Sequence, residues 1–225
     1  MPVYNERSTI EEILRRVLEV PISKELLIID DASTDGTREY LQQRIDGSDP
    51  ALRAVYREQN GGKGAAIRAG LPYVRGRYVV IQDGDLEYDP MDFLKLVRVM
   101  EEEGAPIVYG SRFIHGIPPM RWANRLINRL LAMMVRRLYG AAITDEATCY
   151  KAFRSEVLLG IPLTCRRFEF CPEVTAKALR SGYDIRETPI TYRARTVKEG
   201  KKIRWTDGVA AIWTLIRYRW WRPSH

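Results

Sequence analysis

Short runs of apolar and β-branched residues alternate with segments whose apolar residues recur at helical spacing. A brief apolar run closed by a turn signal is typical of a buried parallel strand, and the longer amphipathic segments predict helices. The predicted strands are 26–29, 53–56, 78–81, 107–109 and 185–192. The predicted helices are 10–18, one ending near 45, 64–71, 91–103, 120–139, 173–181 and 206–220. Alternating strands and helices indicate an α/β fold with a mostly parallel, doubly wound sheet.

The helix predicted at 120–139 combines a basic stripe with a broad apolar face. The stripe consists of Arg121, Arg125, Arg129 and Arg136, and the face contains Trp122 and five Leu or Ile residues. One interpretation places this helix on an anionic membrane leaflet, and the other packs it on the sheet or in a dimer interface. The tryptophans and arginines of the segment 206–222 favour a membrane-interface belt over a core.

Three carboxylates follow the strand predicted at 78–81 at alternate positions: Asp83, Asp85 and Glu87. Ligands of open α/β sheets bind outside the carboxyl ends of the strands, so chemistry is expected here. Clustered carboxylates suit a hard cation such as Mg²⁺ or Mn²⁺, usually shared with a phosphate. The competing interpretation is an acidic, solvated turn.

Three further loops, 2–6, 30–37 and 60–64, stand at strand ends or helix starts. In this topology the four loops can converge on one crevice. An acidic pair after one strand can accept hydrogen bonds from a base or ribose, and a glycine-rich turn lets backbone approach a ligand closely. Together the loops predict a nucleotide-diphosphate site in which a metal stabilises charge on a departing diphosphate. Lys63 alone is weak support, because the P-loop spacing is absent.

The net charge of +7 is unevenly distributed. Residues 104–144 hold six arginines and no acidic residue, residues 193–222 are also strongly basic, and the remainder is acidic. Two basic segments indicate an anionic partner: a phosphate, a membrane surface or nucleic acid. Two histidines argue against histidine-based catalysis, and three cysteines without metal-ligand spacing suggest a reducing compartment. No run approaches the ~20 apolar residues of a spanning helix, and we see no secretory signal.

The ordered set of motifs resembles glycosyltransferase family 2, specifically its dolichol-phosphate mannose synthase-like branch. The resemblance covers nearly the whole chain, and the ordered set is far more specific than any single motif. The segments that carry it are 2–6 (PVYNE), 30–37 (DDASTDGT), 60–64 (NGGKG), 83–85 (DGD), 110–112 (GSR), 144–154 (TDEATCYKAFR) and 200–203 (GKKI).

The resemblance implies a GT-A fold and inverting, metal-dependent transfer of a sugar from a nucleotide donor, of the GDP-mannose or UDP-glucose type, to a polyprenyl phosphate. By position, it assigns nucleotide-sugar binding to Pro2, Tyr4, Glu6, Asp30, Asp31, Lys63 and Asp83. It assigns the metal, Mg²⁺ or Mn²⁺, to Asp83, Asp85 and Glu87, of which Glu87 replaces a glutamine common in the family. It assigns donor and acceptor phosphates to Arg112, Arg125, Arg195 and Lys201 or Lys202.

The implied chemistry needs cations more than a general base, because a lipid phosphate with a second pKa near ~6 is already an ionised nucleophile at pH 7. By position, the resemblance makes Asp85, Arg112 and Asp145 the candidate catalytic residues. For Asp145 two roles stay open: positioning the acceptor or metal, or acting as a buried structural carboxylate.

The chain departs from the family pattern at its start, where the apolar strand that precedes the Pro-x-Tyr-Asn-Glu motif is missing. We expect a catalytic domain at 1–204 and an amphipathic, membrane-interfacial helix at 205–225, with the protein peripheral on the cytoplasmic membrane face. The alternatives are a soluble or glycan acceptor, a non-catalytic donor-binding relative, and a basic nucleic-acid-binding protein. The last is disfavoured because it leaves the carboxylate loops without a purpose, so no nucleic-acid partner is expected.

Overall fold

The strands form two sheets in the computed structural model, which describes residues 1–47, 49–116, 120, 122–194 and 205–223. The strands are β1 Pro2–Val3, β2 Leu26–Asp30, β3 Leu52–Tyr56, β4 Tyr78–Val80, β5 Ile107–Ser111, β6 Lys151–Arg154 and β7 Ile185–Pro189. The helices are α1 Ile10–Glu19, α2 Thr37–Arg44, α3 Lys63–Gly70, α4 Phe93–Glu102, α5 Trp122–Tyr139, α6 Ser155–Gly160, α7 Phe170–Arg180 and α8 Trp205–Tyr218. The α/β class predicted from the sequence is confirmed.

The first sheet has the order β1-β2-β3 and is parallel throughout. The second has the order β4-β6-β5-β7, in which β6 runs antiparallel to both of its neighbours while β5 and β7 are parallel. The first two residues of the Pro-Val-Tyr-Asn-Glu motif form a two-residue strand, β1, that pairs with β2 at Ile29 and Asp30. In the described residues no ladder joins β1 to β4, so the sheet is divided there.

Strands β1 and β6 and helix α6 were not predicted from the sequence. β6 begins with a lysine, so its sequence lacks the continuous apolar run of a buried strand. Lys151 is nevertheless fully buried. Its Nζ donates to the carbonyl of Glu146 at 2.7 Å and lies 3.5 Å from the centre of the Tyr109 ring. These contacts replace the water that the ammonium loses, so a charged residue fits an internal strand.

Helix α5 packs against α7 and α8. Its buried side is formed by Asn128, Leu131 and Val135. The Tyr139 hydroxyl donates to the carbonyl of Leu215 on α8 at 2.5 Å. A Cβ at Gly208 of α8 would lie 3.2 Å from Cγ1 of Ile127, so the glycine permits the close approach of the two helices. One side of this helix is therefore packed, but against two helices rather than on the sheet.

The opposite side of α5 exposes Trp122, Leu126 and Met133, with Trp122 77% exposed. At 100° per residue these three positions share one side of the helix with the exposed Arg129 and Arg136. The apolar exposed side chains of α8 and of the turn that follows it are Val209, Trp213, Ile216 and Trp220. Both helices therefore combine a packed side with an exposed apolar side.

Candidate active site

The loop that follows β1 is held against the loop that follows β2 by a set of backbone-to-side-chain hydrogen bonds. The amide of Asn5 donates to Oγ of Ser33, and the amide of Thr34 donates back to Oδ1 of Asn5 at 2.8 Å. The amide of Glu6 donates to Oγ1 of Thr37 at 3.0 Å. Two of the predicted loops, 2–6 and 30–37, thus form one rim of the crevice at the carboxyl ends of the strands.

The carboxylate loop after β4 touches the same rim. Oγ1 of Thr9 lies within hydrogen-bond distance of both Oε2 of Glu6 and the carbonyl oxygen of Gly84, each at 2.9 Å. A Cβ at Gly84 would lie 3.3 Å from Val3 and 3.4 Å from Glu6. The absence of a side chain at Gly84 therefore lets the Asp-Gly-Asp segment approach the Pro-Val-Tyr-Asn-Glu segment.

Lys63 joins the glycine-rich turn to the carboxylate loop. Its Nζ lies 2.6 Å from Oδ1 of Asp83 and 3.4 Å from Sγ of Cys149. Burial disfavours the charged ammonium, but Asp83 outweighs this, and the pKa of Lys63 lies well above its ordinary value. Burial raises the pKa of Cys149, so its thiol stays protonated. Lys63 thus places a permanent positive charge beside the first carboxylate of the motif.

Asp85 and Glu87 are connected to the far side of the crevice. Asp85 is buried, and its Oδ1 accepts the amide of Glu87 at 3.0 Å. Oε2 of Glu87 accepts the hydroxyl of Tyr192, and the Glu87 carbonyl accepts the amide of Arg193 at 2.8 Å. The loop is therefore fixed at both ends rather than being a free acidic turn.

The carboxylates Asp83 and Asp85 offer oxygen atoms of the kind that Mg²⁺ and Mn²⁺ accept. Among the described residues, no group of three His, Cys, Asp or Glu side chains is gathered closely enough to hold a metal ion. A magnesium-type site commonly uses one or two carboxylates together with water and substrate phosphates. The donor set at this loop fits a metal that binds together with a diphosphate.

The acidic pair at the end of β2, Asp30 and Asp31, is paired with arginines of the protein. Oδ2 of Asp30 accepts Nε of Arg38 at 2.7 Å. Asp31 pairs with Arg57 and accepts the amides of Gly61 and Gly62, the latter at 2.7 Å. Both carboxylates are buried. Asp31 therefore holds the glycine-rich turn in place.

The glycines of this turn are needed for a contact within the chain. Gly62 has a φ of +86°, and a Cβ there would lie 2.8 Å from the carbonyl oxygen of Arg166. A Cβ at Gly64 would lie 2.9 Å from Sγ of Cys165. In the structure these glycines allow a close approach to the segment 165–167 of the chain itself, which the sequence did not predict.

Arg112 and Asp145 form a bidentate pair at the end of β5. Nε and Nη2 of Arg112 donate to the two carboxylate oxygens of Asp145, each at 2.7 Å, and the Arg112 amide also donates to Oδ2. Burial disfavours the charged guanidinium, but Asp145 outweighs this and holds the pKa of Arg112 well above its ordinary value. Of the two roles left open for Asp145, this geometry matches the buried structural carboxylate, which positions Arg112.

The other residues expected to bind phosphates are Arg125, Arg195, Lys201 and Lys202. Arg125 lies on α5, and its Nε is buried with no hydrogen-bond partner in the part of the chain that the structure describes. Arg195, Lys201 and Lys202 lie outside the described residues, as does Arg121. Pro2 is buried in β1, and Tyr4 follows β1 with a partly exposed side chain.

Two site residues were missed by sequence reasoning. The Tyr192 ring lies 4.9 Å below the Arg112 guanidinium while its hydroxyl reaches Glu87. Arg57 contacts Asp31 directly after β3. Both residues come at or just beyond the carboxyl end of a strand, and this position was the signal that could have identified them.

The sequence matches the model of the family "Glycosyl transferase family 2" over residues 1–160. Because this match spans well over half of the chain, the protein belongs to glycosyl transferase family 2 and is a glycosyltransferase. The resemblance to this family that the motifs indicated is confirmed.

Two curated relatives are named for lipid phosphates. The chain is 28% identical to the undecaprenyl-phosphate mannosyltransferase of Micrococcus luteus, over 97% of this chain and 96% of that protein. It is also 28% identical to the polyprenol monophosphomannose synthase of Mycolicibacterium smegmatis, over 89% of this chain and 78% of that protein.

A crystal structure of glucosyl-3-phosphoglycerate synthase from Mycobacterium tuberculosis shares the fold. The superposition covers all of this chain and 80% of the synthase chain, with 24% sequence identity and a TM-score of 0.74. The predicted GT-A fold is confirmed by this likeness. A complex of that synthase holds Mn²⁺, UDP-glucose and phosphoglyceric acid. Within the described residues, no helix has the length and apolar character needed to cross a membrane.

Proposed function

We propose that the protein transfers a sugar, with inversion, from a nucleotide-diphosphate sugar to a polyprenyl phosphate, in a reaction that depends on a divalent metal. The observation that carries this proposal is one chain of contacts across the crevice. Asp85 accepts the amide of Glu87, Glu87 accepts the Tyr192 hydroxyl, and Tyr192 lies under Arg112. A carboxylate loop suited to a metal diphosphate is thereby linked to an arginine suited to a second phosphate.

The acceptor phosphate is the nucleophile in this scheme. One of its oxygens attacks the anomeric carbon of the sugar from the face opposite the nucleotide. A bond forms between that carbon and the phosphate oxygen, and the bond between the carbon and the diphosphate oxygen breaks, with its electron pair leaving on the diphosphate. A metal held by Asp83 and Asp85 would neutralise charge on the leaving diphosphate. Lys63 adds a fixed positive charge next to Asp83. No proton must be removed, since the phosphate is already ionised at neutral pH.

Arg112 is well placed to reduce repulsion between the acceptor phosphate and the donor diphosphate. Its guanidinium orientation is set by two hydrogen bonds to Asp145. A guanidinium fixed in this way binds a phosphate at little further entropic cost. We expect a donor of the GDP-mannose or UDP-glucose type, since one relative is named as a mannosyltransferase and one neighbour's structure holds UDP-glucose. Mg²⁺ and Mn²⁺ are both candidates.

A lipid acceptor requires contact with a membrane surface, and α5 and α8 offer one. Their exposed apolar side chains lie beside arginines, and such helices rest in the headgroup region of anionic leaflets. The basic segments 104–144 and 193–222 add long-range attraction to that surface. We place the protein as a peripheral enzyme on the cytoplasmic face of the membrane.

The test uses the whole chain with liposomes that contain polyprenyl phosphate, Mg²⁺ or Mn²⁺, and radiolabelled UDP- and GDP-sugars. The expected result is label in the organic phase with one donor class, lost with EDTA and lost with Asp85→Asn. Donor binding of normal strength without transfer to any acceptor would overturn the proposal and favour a non-catalytic relative.

A further inference from the structure

The side chain of Lys63 leaves the glycine-rich turn 60–64 and ends on the carboxylate loop. Its Nζ lies 2.6 Å from Oδ1 of Asp83, and Sγ of Cys149 lies 3.4 Å away. The Lys63 side chain is 14% exposed and that of Asp83 is 23% exposed. Because both groups are largely shielded from water, their attraction is stronger than that of a surface ion pair. A cation of the protein therefore occupies one of the two carboxylates proposed to hold the metal.

The backbone of the glycine-rich turn is engaged in contacts within the chain. Phosphate-binding turns point several amides at the anion. Here four amides donate to acceptors of the protein, and they belong to Gly61, Gly62, Gly64 and Ala65. The first two donate to the Asp31 carboxylate, and the last two donate to backbone carbonyls of the segment 166–167 at 3.0 and 2.8 Å. The turn therefore contributes to the crevice chiefly through the Lys63 ammonium.

A divalent metal and this ammonium compete for the same carboxylate. Mg²⁺ approaches a carboxylate oxygen to about 2.0–2.1 Å, so a metal on Asp83 would stand beside the Lys63 ammonium. Two cations at this separation repel each other strongly in a site that is partly shielded from water. The second carboxylate, Asp85, also accepts the amide of Glu87 with its Oδ1 at 3.0 Å. The loop by itself is therefore a weak site for a divalent metal.

We propose that Lys63 makes metal binding conditional on a nucleotide diphosphate. In the donor-free protein its ammonium holds Asp83 and disfavours a divalent metal. A diphosphate that arrives with its metal brings enough negative charge to pair with Lys63, and Asp83 then becomes available to the metal. This inference rests on the proposed metal-dependent function.

The residue type and its second neighbour fit this exchange of partners. Lysine carries a compact charge on a flexible four-carbon stem, so its ammonium can turn from a carboxylate to a phosphate. Arg112 is the opposite case, because two hydrogen bonds to Asp145 hold its guanidinium in one orientation. The Cys149 sulfur is a weak hydrogen-bond acceptor, so it holds the Lys63 ammonium less firmly than a second carboxylate would.

The experiment measures the binding of Mn²⁺ alone to the whole chain, from the EPR signal of the free ion. Lys63→Met removes the ammonium and keeps a long side chain at this position. We expect this variant to bind Mn²⁺ at least about tenfold more tightly than the unsubstituted chain, because the competing cation is gone. The factor by which saturating UDP or GDP tightens Mn²⁺ binding should fall by at least about tenfold.

Three further variants serve as controls. Lys63→Gln is a second neutral change whose amide can still donate to Asp83, so the test does not depend on the fold tolerating methionine. Lys63→Arg keeps the positive charge and should bind Mn²⁺ as weakly as the unsubstituted chain. Arg68→Met removes one positive charge from an exposed position of the same helix, α3, and should leave Mn²⁺ affinity within about twofold.

Mn²⁺ binding that is unchanged or weaker in both neutral variants would overturn the inference, because removal of a lysine that only supports the loop would loosen the metal site. Equal tightening in Arg68→Met would overturn it as well, since the effect would then be one of net charge. Either result leaves the proposed function standing if Mn²⁺ and UDP or GDP bind together to the unsubstituted chain. Absence of that joint binding would overturn the metal-dependent function and this inference with it.

Discussion

The Arg112 guanidinium and the Asp145 carboxylate are joined by two parallel hydrogen bonds of 2.7 Å each. Asp145 is completely buried, and its backbone amide is held by Glu187 at 3.0 Å. Asp145 is therefore anchored by its backbone to β7, while its carboxylate orients the arginine that directly follows β5. A residue proposed to bind phosphate thus takes its geometry from a fully buried neighbour.

Removal of the Asp145 carboxylate should destabilise the fold strongly. Asp145→Ala leaves a buried guanidinium without its partner, which costs about 3–5 kcal/mol in free energy of unfolding. Urea denaturation measures this value. Arg112→Met combined with Asp145→Ala should cost less than the sum of the two single changes, since the pair is coupled.

The matched control for this pair is Glu156→Gln. Glu156 is 77% exposed and lies 4.0 Å from Arg154, so its loss should change the free energy of unfolding by less than about 0.5 kcal/mol. A cost for Asp145→Ala as small as that of the control would contradict the assignment of a buried, oriented pair.

Asp85→Asn should separate metal-dependent from metal-independent nucleotide binding. The amide keeps the shape of the carboxylate and its bond from the Glu87 amide, but it is a poorer ligand for Mg²⁺ or Mn²⁺. We expect the affinity for UDP or GDP in the presence of the metal to fall by about tenfold or more, by titration calorimetry. Binding without metal should not change.

The control for Asp85→Asn is Glu103→Gln. Glu103 is exposed, and its one ion pair in the described residues is with the surface residue Arg186. A metal-dependent affinity that is the same in Asp85→Asn and the unsubstituted chain would remove Asp85 from the metal site.

Asp31→Asn should loosen the glycine-rich turn. Asp31 accepts the amides of Gly61 and Gly62 and pairs with Arg57, and an amide side chain replaces an ionic acceptor with a neutral one. Hydrogen exchange at the two glycine amides should therefore accelerate, and donor affinity should decrease. The exposed Asp184→Asn serves as control. Unchanged exchange together with weaker donor binding would instead assign Asp31 to direct contact with the nucleotide.

The positions of the loops were predictable because a parallel α/β sheet collects strand ends on one edge. Runs such as Leu26–Asp30 and Tyr78–Val80 needed only local sequence to be recognised. The partners of the acidic residues were not predictable. Arg38, Arg57 and Glu187 reach the site from other elements, and only the packed fold brings them there.

Sequence periodicity could not predict which apolar residues of α5 are buried and which are exposed. The pattern gave a broad apolar side, but packing divides it between buried residues such as Leu131 and exposed ones such as Leu126. Which apolar residues face solvent depends on where α8 docks, and that contact is set by Gly208 and Ile127.

The exposed apolar side chains of α8 should govern membrane binding. Trp213 is 63% exposed, and Trp213→Ser removes a large apolar surface that would insert at the headgroups. We expect binding to anionic vesicles to weaken by about tenfold, which corresponds to about 1.4 kcal/mol. Leu159→Ser, on the exposed side of α6, should leave vesicle sedimentation unchanged. Equal effects of the two changes would contradict a specific membrane face.

The stability of the chain should rise with pH between about 5 and 8 because of the Met1 amino group. Burial lowers its pKa from 8.0 to about 5, against the opposing effects of Cys149 and Asp83 and with a further lowering by Lys63. In this window the unfolded amine binds a proton that the folded amine does not, so the slope is positive and at most about 1.4 kcal/mol per pH unit.

N-terminal acetylation isolates this contribution, because the acetylated chain has no amine to titrate. Urea denaturation across the pH range should show the acetylated protein as more stable at pH 5 and a difference that disappears above pH 8. A difference that does not vary with pH would contradict the burial of the Met1 amine.

The most direct test of the proposed reaction is a comparison of acceptors under one set of conditions. The enzyme, its metal and the preferred labelled donor are incubated with polyprenyl phosphate, with the matching polyprenol that lacks phosphate, and with a soluble phosphorylated acid. The proposal predicts label in polyprenyl phosphate alone, and a higher KM for that lipid in Arg112→Lys. Transfer to the soluble phosphate with none to the lipid would contradict it.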